Sequence, residues 1–331
     1  MNNPRFTIYR LKIEPFMSGA PISEDVAEKV AEYILAHLMD IKFVDGNGEP
    51  IITYGSEIFD TLGYVTIEKK KKMTIDMKEC RKQEELPTYP DFALVLDARK
   101  PQKEGILIGI QNQSKCFANL DTVRKRLEKY WSQTIWDEFN CNVELRQITS
   151  SDMFWKTLDR KIQNGCKLTG LHLDVAQILK NDFINEQVKE KASMVTSFFS
   201  FLEAIDAGDG GFFFNAKPGK ELDVTEVKHN LGMVITLSCK YGFVVKAQFD
   251  QEKDWITSEA AAPFIKRLDS SAFVKPEGTK AAVKAAKLKQ MAELTRWFDE
   301  IVVELERIKK DKQNEQTRHT VKRLSQKALC C

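Results

Sequence analysis

Residues 90–148 read PDFALVLDARKPQKEGILIGIQNQSKCFANLDTVRKRLEKYWSQTIWDEFNCNVELRQI. Short runs rich in Ile, Val and Leu are bounded here by Pro, Asp and Gly, which is typical of strands rather than of a buried helix. The pattern predicts strands at Phe92–Leu96, Ile106–Ile110 and Val143–Ile148, and a long helix at Leu120–Glu138. We therefore expect a helix that packs on a sheet, the simplest way to bury these apolar faces.

The residues before this stretch predict further strands and one more helix. Strands are expected at Arg5–Ile13, Ile51–Tyr54 and Phe59–Glu68. Ser23 is a candidate N-cap, because two acidic residues follow it and apolar residues then recur at helical spacing. The order of the strands within the sheet does not follow from the sequence.

The residues after this stretch alternate between helical and strand patterns. A short helix is expected after the capping sequence Thr149–Asp152. Gly208–Gly211 is interpreted as the end of a helix, since it lacks the residues of a phosphate-binding loop. The remaining expected elements are helices at Asn185–Ile205 and around Asp223–Leu231, and strands at Leu168–Val175, Phe212–Asn215, Gly242–Phe249 and Trp255–Ser258.

A regular apolar seam marks the C-terminal region. Its residues recur at the 3-4 spacing of a coiled coil, with both signs of charge on the polar face: Met291, Leu294, Phe298, Ile301, Leu305 and Ile308. The helix either pairs with a second copy of the chain or folds back on its own domain, and the pattern favours self-association. A basic tail follows.

Length and composition bound the architecture. The chain has 331 residues, 43% of them hydrophobic and 30% charged, which suits two domains. We expect an α+β fold with an N-terminal sheet domain over residues 1–148, a second α+β domain over 149–275, and a long C-terminal helix with its basic tail over 280–331.

Several functional classes are disfavoured by the same sequence. The net charge is only +2, so affinity for nucleic acid must come from local clusters. The seven cysteines and four histidines show no zinc-ligand spacing, and no motif predicts a metal or a cofactor. No apolar run reaches 18 residues and no signal peptide is recognisable, so we expect a cytoplasmic protein.

One candidate site concerns metal-dependent cleavage. Asp91, Gln111 and Gln113 fall where nucleases of the PD-(D/E)xK type carry Asp and then Glu-x-Lys on adjacent strands, and the order of elements also resembles that fold. Mg²⁺ requires carboxylate oxygens, which the two glutamines do not supply. A degenerate nuclease is therefore an alternative, and Asp91 is expected to cap a strand.

A second candidate site is basic. Its residues can neutralise phosphates without reading bases, and the alternative is a solvated helix face. They form a group along the central helix, with a lysine run on a separate loop: Lys115, Arg124, Lys125, Arg126 and Lys129, and Lys69, Lys70, Lys71 and Lys72.

The layout of the chain is similar to the RexA family of phage exclusion proteins. The likeness is carried by the segments beginning at Phe92, Gly105, Val143 and Leu168, and by the later run from Val234 to Ser258, and it covers Arg5–Leu268. It implies an α+β homodimer that binds double-stranded DNA independently of sequence and acts in antiphage defence or superinfection exclusion. It supplies no catalytic residues, and the longer heptad-bearing tail departs from the pattern.

These observations predict a non-enzymatic, double-stranded DNA-binding homodimer without a small-molecule cofactor. The alternatives are the degenerate nuclease and an adaptor that recruits a partner protein of the same defence system through its heptads. An adaptor would not bind DNA.

Overall fold

The computed structural model describes residues 3–15, 22–44, 50–77, 82–101, 105–117, 119–176, 200–201, 204–205, 209–222, 232, 234–251, 254–269, 273 and 278–328. The expected α+β class is confirmed, since helices and antiparallel sheets both occur. The chain forms two compact units, Met1–Arg146 with Ile265–Phe298, and Gln147–Phe264 with Asp299–Cys331. This division differs from the expected domains, because 265–298 joins the N-terminal unit and the long C-terminal helix is shared.

The strands, in chain order, are β1 Arg5–Pro15, β2 Lys42–Val44, β3 Pro50–Phe59, β4 Leu62–Lys69, β5 Lys71–Met77, β6 Lys82–Thr88, β7 Asp91–Asp97, β8 Ile106–Gln111, β9 Cys141–Gln147, β10 Leu168–Ala176, β11 Asp209–Asn215, β12 Val245–Phe249, β13 Ile256–Thr257 and β14 Ile265–Arg267. The helices are α1 Glu24–Ala36, α2 Leu120–Phe139, α3 Ser151–Gln163, α4 over 234–240, α5 Ser258–Ala261 and α6 Lys280–Ala328. A 3-10 turn occupies Leu38–Asp40.

The first unit is built on a sheet with the order β14-β1-β8-β7-β4-β3-β2, and β9 pairs with β1. Helices α1 and α2 cover one face, where Val30 and Leu127 join the same buried cluster as Leu94 and Ile108. The first part of α6 covers the other face, where the Trp297 ring lies 5.7 Å from that of Phe6. The sheet therefore lies between two helical layers.

Local signals explain where the helices of this unit begin. The Ser23 hydroxyl accepts from the Val26 N–H at 3.3 Å, which confirms the predicted N-cap of α1. Asn119 caps α2 in the same way, accepting from the Asp121 N–H at 2.8 Å. Asn140 ends α2 in the left-handed conformation that asparagine tolerates.

Two predictions about the strands before residue 90 were wrong. The expected strand Phe59–Glu68 is interrupted at Asp60, whose φ of 57° makes a tight turn between β3 and β4. Asp adopts this left-handed conformation more readily than most residues. The lysine run is not a separate loop, because Lys69 ends β4 and Lys71 begins β5. Strands β5 and β6 pair with each other as a second, two-stranded sheet.

The second unit contains an antiparallel sheet with the order β11-β10-β12-β13. Helices α3 and α4 pack against this sheet, and Phe154 and Leu158 of α3 share a buried cluster with Leu171 and Leu173 of β10. The expected helix stop at Gly210–Gly211 is wrong, because both glycines lie in β11, which begins at Asp209. Most of the predicted helix Asn185–Ile205 and all of Asp223–Leu231 lie outside the described residues.

The apolar seam of α6 is buried within a single chain. Leu294, Phe298 and Ile301 are fully buried and Leu305 is 4% exposed, whereas Met291 is 37% exposed. The side chain of Ile308 lies outside the described part. This burial favours the alternative in which the helix folds back on its own chain. A homodimer stays a prediction, and these residues do not supply a free surface for it.

Candidate nucleic-acid interface

The two candidate sites meet at one end of the sheet in the first unit, where β4 ends and β7 begins. The Lys69 N–H donates to the carbonyl oxygen of Pro90 at 3.0 Å, and Glu68 lies opposite Asp91 in the antiparallel pair. Successive residues of a strand point to opposite faces. Lys69 therefore belongs to the face that α2 covers, and Glu68 belongs to the face that α6 covers.

On the α2 side, lysines from distant parts of the chain come together. The ammonium group of Lys69 lies 4.7 Å from the ring centroid of Phe117, and Lys71 donates to the carbonyl oxygen of Lys115. We call Lys69, Lys70, Lys71 and Lys115 the basic cluster. The ring of Phe117 and the carbonyl oxygen of Lys115 orient the ammonium groups of Lys69 and Lys71. The side chain of Lys72 lies outside the described residues.

Phe117 anchors the cluster to the core. Its ring meets that of Phe92 edge-to-face, with centroids 5.4 Å apart, and it packs against the main buried cluster of this unit. An aromatic ring held in this way has little freedom to move, and Lys69 rests on it. The cluster is therefore attached to the buried core of this unit.

A buried thiol lies beneath the cluster. Cys116 is fully buried and donates from its Sγ to the carbonyl oxygen of Asp91 at 3.1 Å. Burial, together with the Asp91 carboxylate, raises the pKa of the Cys116 thiol to about 11, although Lys71 and Lys69 act in the opposite direction. The thiol is neutral near pH 7 and cancels none of the positive charge.

On the α6 side, the same end of the sheet is acidic. The Tyr54 hydroxyl donates to Asp91 Oδ2 at 2.7 Å. Burial first, and then the hydrogen bond and the charge of Asp91, raise the pKa of Tyr54 well above its usual value. Tyr54 is therefore a neutral donor that fixes the carboxylate. At this end of the sheet, the lysines therefore lie on the α2 face and the carboxylates on the α6 face.

The two glutamines of the nuclease-like motif contact the backbone near this end of the sheet. The Ala93 N–H donates to Gln111 Oε1 at 2.9 Å, and Gln113 Oε1 accepts from the Lys115 N–H at 3.5 Å. Both glutamines thus support the backbone. In the part of the chain that the structure describes, no group of three metal-ligating side chains occurs.

The predicted basic face of α2 divides into paired and solvated residues. Arg124 is 18% exposed and binds the carboxylates of Asp121 and Glu128 and the carbonyl oxygen of Leu145. Glu128 also accepts from the Leu145 N–H at 2.9 Å, so Arg124 belongs to a clamp between α2 and β9. Asp121 has a lowered pKa because Lys125 and Arg124 outweigh its desolvation.

Three residues of the predicted face remain. Lys125 lies 2.8 Å from Asp121, Lys129 is exposed, and Arg126 is half-buried. Lys115 therefore belongs to the basic cluster and not to the group of residues along α2 with which it was predicted. Phe117, Tyr54 and Glu68 were missed by sequence reasoning, because only the pairing of β4 with β7 brings them to this end of the sheet.

Comparisons with models of protein families, with characterised proteins and with solved structures found no match to this chain. Among the residues that the structure describes, no helix combines the length and the apolar character needed to cross a bilayer.

Proposed function

We propose that this protein binds double-stranded DNA independently of sequence, through phosphate contacts made by the basic cluster. The observation that supports the proposal is that Lys71 contacts Lys115, which lies 44 residues further along the chain, while Lys69 rests on Phe117 two residues beyond Lys115. Several ammonium groups close together can replace the counterions of neighbouring phosphates, which supplies affinity without base recognition.

The surroundings of the cluster favour an anionic backbone over other ligands. The nearby carboxylates Glu68 and Asp91 belong to the opposite face of the sheet. The thiol of Cys116 is buried and neutral. Arg124 and Lys125 lie beside carboxylates of their own helix, which weakens their attraction to phosphate. We therefore assign phosphate contacts to the basic cluster rather than to α2.

The proposed biological role rests on the resemblance to the RexA family described above. We infer that DNA binding serves antiphage defence or superinfection exclusion, and that the chain acts as a homodimer. The adaptor alternative, with a partner protein of the same system, would leave DNA unbound and is tested by the same measurements.

The test is a salt titration of binding to a labelled duplex of arbitrary sequence. Replacing Lys69, Lys71 and Lys115 together by Ala should flatten the log-log salt dependence by about 0.9 per lost phosphate contact, or about 2.7 in total. A matched variant, in which the exposed residues Lys29, Lys156 and Lys289 become Ala, removes the same charge and should keep the wild-type slope.

Equal slopes in the two triple variants would refute the assignment to the basic cluster. A wild-type protein that does not bind duplex at low salt would refute DNA binding altogether and favour the adaptor. In cells that express the chain, the first triple variant should also lose protection against phage, measured as plating efficiency, while the matched variant should retain it.

A further inference from the structure

One face of the sheet in the second unit carries a stack of two aromatic rings. Leu171 and Leu173 of β10 are buried in the core, so the side chain of His172 lies on the opposite face. His172 pairs with Phe213 across β10 and β11, and their rings stack with centroids 3.8 Å apart and an interplanar angle of 15°. Phe213 is 66% exposed. One face of an immobilised aromatic ring is thus turned to solvent.

The stack is held in place from below. His172 Nε2 lies 3.0 Å from Asp174 Oδ1, and only 13% of the His172 side chain is exposed. A Cβ added to Gly211 would lie 3.1 Å from His172 Nε2. Glycine at this position therefore leaves room for the imidazole and its carboxylate. The exposed ring of Phe213 rests on a prearranged support.

A second aromatic ring lies on the same sheet. A Cβ added to Gly170 would come within 2.9 Å of Trp255 Cη2, so the indole lies directly over that glycine. Gly170 and His172 are two residues apart on β10 and therefore share a face, about 7 Å apart along the strand. Trp255 is half-buried. Two aromatic surfaces thus lie side by side on one face.

Basic residues accompany these rings. Lys246 of β12 is paired with His172 on the side away from Phe213, and it is half-buried. The turn after β11 carries the exposed residues Lys217 and Lys220, and its Ala216 N–H donates to the Thr169 carbonyl oxygen at 2.8 Å. A cation therefore lies beside the aromatic pair, and two more follow the strand that carries Phe213.

We propose that this face binds single-stranded DNA, with one unpaired base stacked on Phe213, another on Trp255, and Lys246 beside the backbone. A base in a duplex already has both faces covered by its neighbours, so it cannot stack on Phe213. An apolar protein partner would require a broad apolar patch, whereas the residues that share this face next to Phe213 include His172, Asp174 and Asn215. Aromatic rings beside cations are the combination that single strands require.

The test uses fluorescence anisotropy with labelled oligo(dT) of about 12 nucleotides, within the range of lengths that such sites cover. Phe213→Ala should weaken oligo(dT) binding by about 5- to 150-fold, the loss expected for one stacked base. Phe201→Ala is the matched control, since Phe201 is 56% exposed and lies outside the sheet, and it should bind like the wild type. Phe213→Leu keeps an apolar side chain without the ring and should lose affinity as Phe213→Ala does.

The measurement is repeated with Lys69, Lys71 and Lys115 replaced by Ala, because the basic cluster also attracts single strands. The loss on Phe213→Ala should persist there, and Phe213→Ala should leave duplex binding unchanged, so the two proposals fail independently. Wild-type affinity of Phe213→Ala for oligo(dT) would overturn the proposal. Full retention of oligo(dT) binding by Phe213→Leu would also overturn it. A third contrary outcome is that oligo(rU) binds more tightly than oligo(dT) and loses more affinity than oligo(dT) when Phe213 is replaced by Ala.

Discussion

The burial of the α6 seam predicts that Leu294 stabilises the fold of the single chain. Leu294 is fully buried in the first unit, whereas Leu288, six residues earlier on the same helix, is 59% exposed. Leu294→Ala should cost roughly 2–5 kcal/mol through lost burial and the cavity left behind. Leu288→Ala removes the same atoms from a solvated site and should change stability by less than about 0.5 kcal/mol.

Thermal unfolding followed by circular dichroism measures the difference. A unit of this size loses about 2–4 °C in Tm per kcal/mol, so Leu294→Ala should melt roughly 4–20 °C lower than Leu288→Ala. Sedimentation velocity should give the same mass for both variants and the wild type. If Leu294→Ala kept the wild-type Tm at low protein concentration but converted a dimer to a monomer, the seam would be an intermolecular zipper and our interpretation would fail.

Three further predictions concern the sheet end and its neighbours. Arg124→Ala should lower the free energy of unfolding by roughly 1.5–3 kcal/mol, because the guanidinium binds carboxylates and a strand carbonyl, whereas Lys129→Ala should leave it unchanged. The salt dependence of duplex binding should have the wild-type slope in both variants, and a flatter slope for Arg124→Ala would show that α2 contacts DNA. The pKa of Cys116 is raised to about 11 by burial, so its contribution to stability is complete below about pH 9 and is lost as the pH rises towards 11. Urea unfolding should therefore show a smaller loss of stability between pH 8 and pH 10 in Cys116→Ala than in the wild type. An equal loss in the two proteins would contradict the raised pKa. Duplex incubated with Mg²⁺ should stay intact on a denaturing gel for the wild type and for Asp91→Ala; cleavage by the wild type that Asp91→Ala abolishes would instead support the nuclease.

Local pattern was sufficient for the elements of the central stretch. Phe92–Leu96 and Ile106–Ile110 were predicted within one residue of β7 and β8 because continuous apolar runs require burial on both faces. The turn at Asp60 was missed because the residue with the left-handed conformation is Asp, which indicates a turn less strongly than Gly does. Strand β5 was missed because its first residues belong to the lysine run, which suggested a loop.

The candidate site was only half predictable. The lysines were identified from charge alone, but the contact of Lys69 with Phe117 depends on which strands are neighbours, and nothing in the sequence gives the pairing of β4 with β7. The role of Arg124 was misjudged for the same reason. Its partners on α2 are visible at helical spacing, whereas the Leu145 carbonyl oxygen comes from β9, which no local pattern relates to it.

The division of the first unit has a consequence for biosynthesis. Strand β14 and the first part of α6 leave the ribosome only after the whole of 147–264 has been made. At typical elongation rates of about 5–20 residues per second, roughly 6–24 s separate the end of the N-terminal segment from the return of the chain to it. During that interval Phe6 and Ile8, both fully buried in the finished protein, lack the helix that covers their face of the sheet. The apolar face of the sheet that carries Phe6 and Ile8 therefore stays uncovered in the nascent chain while the second unit is still being synthesised.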